Sequence, residues 1–116
     1  MAVTLTIWHN PRCSKSRETL ELLRARGLDP AIRHYLDDAP TLAELAEAVA
    51  RLGQPARALA RTGDEAFRAL GLPGDAGDGA ILQALAENPR LIERPLVING
   101  DRAALGRPPE AVLAIL

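Results

Sequence analysis

Val3-Thr4-Leu5-Thr6-Ile7-Trp8-His9-Asn10-Pro11-Arg12-Cys13-Ser14-Lys15-Ser16-Arg17 runs from an apolar segment through a break into the start of a helix. Its first six residues are β-branched and apolar, the pattern of a short buried strand. His9-Asn10-Pro11 breaks that pattern. Ser14 or Ser16 is then suited to cap a helix that runs through Leu20, Leu22 and Leu23 and stops at Gly27. Ala31 to Tyr35 supplies a second, shorter strand. Strand, helix and strand at this spacing form a β-α-β unit, whose crossover suits a parallel pair.

The junction between the first strand and the helix also carries chemistry. His9 to Arg17 contains three cations, no acid and the one cysteine of the chain. Free backbone N–H groups in the first helical turn, with the positive end of the helix dipole, favour an anion there. Arg12, Lys15 and Arg17 act in the same direction, so Cys13 is placed to be a reactive thiolate rather than a buried, inert thiol. Ser14 and Ser16 read as helix caps, and the Oγ or N–H of Ser14 is also able to touch a bound oxyanion. His9 either hydrogen-bonds the turn or tunes the thiol. Arg17 is either helix-surface charge or a support for the thiolate.

Downstream, Thr41 and Glu44 form a capping box ahead of Leu42, Leu45, Val49 and Leu52, which recur at helical spacing up to Gly53. Pro55 to Leu70 reads as one or two short helices with Phe67 and Leu70 as core candidates. Gly71 to Gly79 is the strongest loop signal, and Ile81, Leu82 and Leu85 mark another helix ended by Asn88-Pro89. Strands then return: Leu96-Val97-Ile98, a hairpin signal at Asn99-Gly100, and a partner strand over Asp101 to Leu105. Pro108-Pro109 opens a terminal helix through Val112, Leu113 and Leu116.

The order is thus β-α-β over residues 1–36, a helical insertion over 41–88 and β-β-α over 95–116. This is the order of an α/β, thioredoxin-like (glutaredoxin-like) domain: a mixed four-stranded sheet with a helical insertion between its halves. All 116 residues form a single domain, and 47% hydrophobic residues suffice for a core, which with 3% aromatics must be built mostly of Leu, Ala, Val and Ile. A formal net charge of -1 offers no general attraction for nucleic acid or a membrane surface. The apolar run at Val3 to Trp8 is too short for a signal peptide or a membrane helix, so a cytoplasmic protein is expected. One cysteine and two histidines are a poor set for a structural metal site, and no bound metal or cofactor is expected. With no second cysteine, any thiol turnover must borrow its other sulfur from outside. Arginine supplies thirteen of the fourteen Lys and Arg residues, so a nearby arginine is weak evidence by itself.

His9-Asn10-Pro11-Arg12-Cys13-Ser14-Lys15-Ser16-Arg17, His34-Tyr35-Leu36, Arg57-Ala58-Leu59-Ala60-Arg61, Leu70-Gly71-Leu72, Pro89-Arg90-Leu91-Ile92-Glu93-Arg94-Pro95 and Gly106-Arg107-Pro108-Pro109-Glu110 together carry a resemblance that covers nearly the whole chain. In this respect the sequence resembles the arsenate reductases that use glutathione and glutaredoxin, and their thioredoxin-fold relatives, the Spx regulators and other ArsC-like proteins. The resemblance implies a catalytic Cys13, an arginine triad of Arg61, Arg94 and Arg107 around an oxyanion, His9 close to the thiol, and a cis bond at Arg94-Pro95. It also implies glutathione as cosubstrate and glutaredoxin as partner, and a monomer is expected. The chain departs from longer members by stopping at Leu116, and from Spx by carrying Ser16 where that family keeps a second cysteine.

Two further readings stay beside arsenate reduction. One is a protein-binding module like Spx, against which Ser16 argues because no internal disulfide can form. The other is a glutathione-dependent thiol reductase that keeps Cys13 but does not act on arsenate.

Overall fold

The computed structural model describes residues 5–116. Val3 and Thr4, the start of the expected first strand, lie outside them. Strand β1 spans Leu5–Trp8, helix α1 Ser14–Ala25 and strand β2 Ala31–Arg33. Helices α2 (Leu42–Leu52), α3 (Glu65–Arg68) and α4 (Asp78–Glu87) follow, with short 3-10 turns at Ala56–Leu59 and Pro89–Leu91. Strands β3 (Leu96–Asn99) and β4 (Arg102–Leu105) and a 3-10 segment over Pro109–Ile115 complete the order.

The four strands form one mixed sheet in the order β2-β1-β3-β4. β1 is parallel to β2, antiparallel to β3, and β3 is antiparallel to β4. This is the expected thioredoxin-like arrangement with its helical insertion. Side chains alternate across the sheet. Ile7 and Val97, which are paired, face α1 and the C-terminal segment, and pack with Leu20, Leu23, Val112 and Ile115. Trp8 and Leu96, the next pair, face the insertion with Leu45, Leu59, Ile81, Leu85 and Ile92.

Thr41 and Glu44 close the capping box in both directions, and Gly53 ends α2 in the left-handed region at φ 69°. The buried stripe of α2 is Leu45, Ala48 and Leu52, whereas Leu42 is exposed. Four expectations change. Leu70 lies on the surface rather than in the core, since α3 is a single turn that commits Phe67 inward. β2 stops at Arg33, so Tyr35 belongs to a turn in which the N–H groups of Asp37 and Asp38 donate to the His34 carbonyl. The hairpin turn is Gly100-Asp101 rather than Asn99-Gly100, because Asn99 is still paired with Arg102, and Gly100 takes the positive φ of 62° that the turn needs. The terminal segment is 3-10 rather than α, and its buried residues Pro109, Val112 and Ile115 recur every three residues, which is the period of that helix.

Candidate active site

Four segments meet at one end of the sheet. Trp8 pairs with Leu96, so the loop leaving β1 runs beside the segment entering β3. Leu96 pairs with Leu105, which carries the same register outward to set Arg94 opposite Arg107. There the Gly106 N–H donates to the Pro95 carbonyl at 2.9 Å, and Arg107 NH1 donates to the Arg94 carbonyl at 3.2 Å. The fourth segment is stitched to this edge by a bridge between Ala60 and Ile92, with Arg61 N–H donating to Leu91 O at 2.8 Å and Glu93 N–H to Leu59 O at 2.7 Å. Cys13, Arg61, Arg94 and Arg107, far apart in sequence, are thereby gathered by backbone pairing. Both Arg94-Pro95 and Arg107-Pro108 are cis peptides; the second was not anticipated.

Gly106 explains how closely these arms pack. A Cβ built there would overlap Thr19 Oγ1 and stand 2.7 Å from Pro95 Cγ. Thr19 is fully buried on α1, and its hydroxyl donates to the Lys15 carbonyl at 2.7 Å. The helix that begins at the thiol therefore presses directly on the hairpin that carries two of the arginines.

The cysteine loop is organised by Asn10 and Ser16. Asn10 Oδ1 accepts from the Arg12 N–H at 3.0 Å, and the Asn10 carbonyl accepts from the Cys13 N–H at 3.0 Å. Neither serine caps α1. Cys13 itself occupies the N-cap position, with extended backbone and no side-chain cap bond. Ser14 is exposed at the first helical position, while Ser16 is fully buried, its Oγ accepting from the Asn10 N–H at 3.0 Å and lying 2.6 Å from His9 Nδ1. The reason is geometric: the tight turn at Pro11-Arg12 brings Ser16 back under the loop rather than out over the helix end. Arg17 NH1 donates to the Pro11 carbonyl at 2.9 Å, which fastens the loop from outside.

An N-cap side chain faces the N–H groups two and three residues on, so here those of Lys15 and Ser16 are turned toward the half-buried Cys13 thiol. Burial raises the thiol pKa, but the Ser16 N–H, the Arg94 side chain and the Lys15 N–H together outweigh it, and the pKa lies below its ordinary value. The cation that does this is Arg94, which is distant in sequence, rather than Arg12 or Arg17. His9 is buried, and its pKa is lowered, first by that burial and then by His34, Arg24 and Arg17. It is joined to the cysteine loop through the Ser16 hydroxyl.

The arginines are short of partners. Glu93 serves two of them, at 4.0 Å from Arg61 Nε and 3.6 Å from Arg107 Nε, and Arg61 has Asp64 at 3.8 Å. Arg94 NH1 donates to the Arg90 carbonyl at 3.3 Å, but its buried Nε has no hydrogen-bond partner among the described residues. Arg61 and Arg94 line a cavity of about 200 Å³ with Asn10, Leu36, Asp64 and Arg90. Sequence reasoning did not single out Asn10, Glu93 or Tyr35. The Tyr35 hydroxyl is also buried without a partner among the described residues. No group of three or more His, Cys, Asp or Glu side chains able to hold a metal ion occurs among the described residues.

A thioredoxin-like sheet with a cysteine at the α1 N-cap and Arg94 acting on its thiol defines the class, and the chain belongs to the ArsC family, whose model matches residues 8–115. Among its relatives, an arsenate reductase of Haemophilus influenzae is 46% identical over 116 residues, covering 98% of this chain and all of that one. The protein YfgD of Escherichia coli is 42% identical, covering all of this chain and 99% of its own. The solved structure of an arsenate reductase from Vibrio cholerae superposes with a TM-score of 0.94 at 44% identity, covering the full length of both chains.

Proposed function

We propose that this protein is an arsenate reductase that uses Cys13 as nucleophile, Arg61, Arg94 and Arg107 to hold the oxyanion, and external thiols to supply electrons. The observation that carries the reading is the Arg94 guanidinium, which lowers the Cys13 pKa while its own buried Nε has no partner among the described residues. A cation short of anions beside a thiolate suits a tetrahedral oxyanion, whose oxygens match guanidinium forks in pairs. The relatives named arsenate reductase at 41–46% identity support arsenate as that oxyanion.

In this reading the Cys13 thiolate attacks arsenic(V), a sulfur–arsenic bond forms and one oxygen leaves as water after protonation. That step moves no electrons. A glutathione thiol then enters, and when the two sulfurs join, the electron pair passes to arsenic, which departs as arsenite. Cys13 is left in a mixed disulfide with glutathione, and glutaredoxin with further glutathione restores the thiolate by exchange. The arginines offset the repulsion between thiolate and oxyanion, an effect typically worth a few kcal/mol when the charges are held in advance. His9 and Ser16 hold the loop, Arg17 fastens it, and the exposed Ser14 stands where its N–H meets an anion at the helix end.

Glutathione chemistry needs a reducing compartment, which supports a cytoplasmic location, and no helix among the described residues is long and apolar enough to cross a membrane. We read residues 1–116 as one domain acting as a monomer. The test is a coupled assay in which arsenate, glutathione, glutaredoxin and glutathione reductase drive NADPH oxidation. The wild-type chain should show an arsenate-dependent rate and Cys13→Ser none. A wild-type chain without such a rate would rule out the assignment.

A further inference from the structure

One carboxylate oxygen touches all three residues of the arginine set. Glu93 Oε1 stands 3.6 Å from Arg107 Nε and 4.0 Å from Arg61 Nε, and it accepts from the Arg94 N–H at 3.4 Å. The backbone beneath it is pinned, since the Glu93 N–H donates to the Leu59 carbonyl at 2.7 Å beside the Ala60–Ile92 bridge. At these lengths the two guanidinium contacts are charge tethers rather than tight hydrogen bonds. The Glu93 side chain is only 22% exposed, so they are screened less than a surface ion pair. Both tethers use Nε, the inner nitrogen. Arg107 gives one terminal nitrogen to the Arg94 carbonyl at 3.2 Å, and Arg61 turns one toward Asp64 at 3.8 Å. Two of the three nitrogens of each guanidinium are thus held, and the third is left for a ligand. Arg61 lines the cavity with Arg94 and Arg107 does not, and Glu93 spans from one to the other.

We infer that Glu93 is a positioning residue of the oxyanion site, which holds Arg61 and Arg107 by their inner nitrogens and keeps the remaining ones for the bound anion. The inference rests on the oxyanion reading of Arg61, Arg94 and Arg107. A carboxylate at an anion site repels the ligand, so its presence there needs a compensating gain. The gain is order: arginine side chains are long, and fixing two of them in advance removes an entropy cost that the ligand would otherwise meet. The same carboxylate offsets the repulsion among neighbouring cations before the anion arrives.

Sulfate, a tetrahedral dianion that a thiol does not reduce, is the probe, and titration calorimetry reads its Kd. Glu93→Ala removes a negative charge, so charge alone would tighten sulfate binding, whereas loss of positioning weakens it. The Kd should rise roughly five- to tenfold, the scale of coupling between neighbouring charged groups, and kcat/KM for arsenate should fall in step. Glu93→Asp keeps the charge but shortens the reach by one methylene, and it should also weaken sulfate binding several-fold. In an Arg107→Ala background, Glu93→Ala should cost less than it does in the wild-type chain, because one of the two side chains it holds is gone. Urea midpoints report the fold separately, and Glu93→Asp carries the test if Glu93→Ala does not fold. Unchanged or tighter sulfate binding in folded Glu93→Ala, wild-type affinity in Glu93→Asp, or full additivity with Arg107→Ala overturns the role of Glu93 alone. A wild-type chain that binds neither sulfate nor arsenate overturns it together with the oxyanion reading.

Discussion

Two arginine clusters lie on this sheet, and they are satisfied to opposite degrees. Arg33, at the end of β2, lies over the Trp8 ring at 5.6 Å and is paired with Glu44 through both terminal nitrogens. Its remaining contacts run to the carbonyls of Asp38 and Ala39 and to the Asp38 carboxylate. Arg61, Arg94 and Arg107, at the adjoining end, divide Glu93 and Asp64 among them and leave a buried donor over. The hollow beside Arg33 is the larger, about 410 Å³ against about 200 Å³, but its cations face Glu44 and Glu47. The size of a hollow therefore says less about ligand binding than whether its charges are already answered. The Arg33 cluster ties β2 to α2; the other is the one we propose to hold the oxyanion.

Exchanging the clusters should separate affinity from stability. Arg94→Ala should weaken sulfate binding by roughly a hundredfold and raise the Cys13 pKa, read from iodoacetamide alkylation against pH, while leaving the urea midpoint unchanged or slightly higher. Arg33→Ala should do the reverse, costing about 1–2 kcal/mol of stability with oxyanion affinity intact. If both variants lose affinity equally, the distinction between the clusters fails.

Gly106→Ala probes how the second cluster is held. Overlap with Thr19 and Pro95 should cost about 1–3 kcal/mol in chemical denaturation, and activity should drop because Arg107 is the next residue. Thr19→Ala in the same chain should recover part of both, since it removes one of the two obstacles.

The smallest effect is in the pH dependence of stability. Hydrogen bonding to Arg33, then to the Thr41 N–H, holds Glu44 at about 2. A depressed carboxylate stabilises above its unfolded value near 4.3, and that contribution fades as pH falls toward 2. The Glu44 side chain is 40% exposed, so solvent screening limits the loss to about 1 kcal/mol. Burial of His9 acts in a higher window: the unfolded chain binds the proton first, so stability is full above about 6.5 and declines below it. Urea midpoints from pH 8 to 2 should show both declines, and Arg33→Ala should lose the lower one.

Much of this architecture was legible in the sequence because it is local. The β-branched start, the capping box at Thr41 and Glu44, and the punctuation at Gly27, Gly53 and Asn88-Pro89 each report on neighbours a few residues away. The site was only partly legible. Cys13 stood out by its charge and its place at a helix start, but among thirteen arginines nothing local separates Arg94 from Arg90 or Arg102. The family resemblance marked the three arginines, and the sheet register brings them together. Ser16 read as a cap because caps are common, whereas its real partners are reached by a turn that folds the loop back on itself. Tyr35 read as the end of a strand, and its orphaned hydroxyl follows from packing between segments that no spacing rule connects.

The register of the β3–β4 hairpin also determines where the chain can change length. Arg94 and Arg107 stand opposite each other at its open end, while the exposed Gly100-Asp101 turn closes the other. Residues inserted at that turn lengthen a loop remote from Cys13 and leave both arginines in register. A single residue gained or lost within either strand turns the side chains beyond it to the opposite face and carries one arginine out of register with the other. Length variation, affinity tags and grafted epitopes therefore belong at Gly100-Asp101, and the strands on either side are the part of the hairpin that must be kept residue for residue.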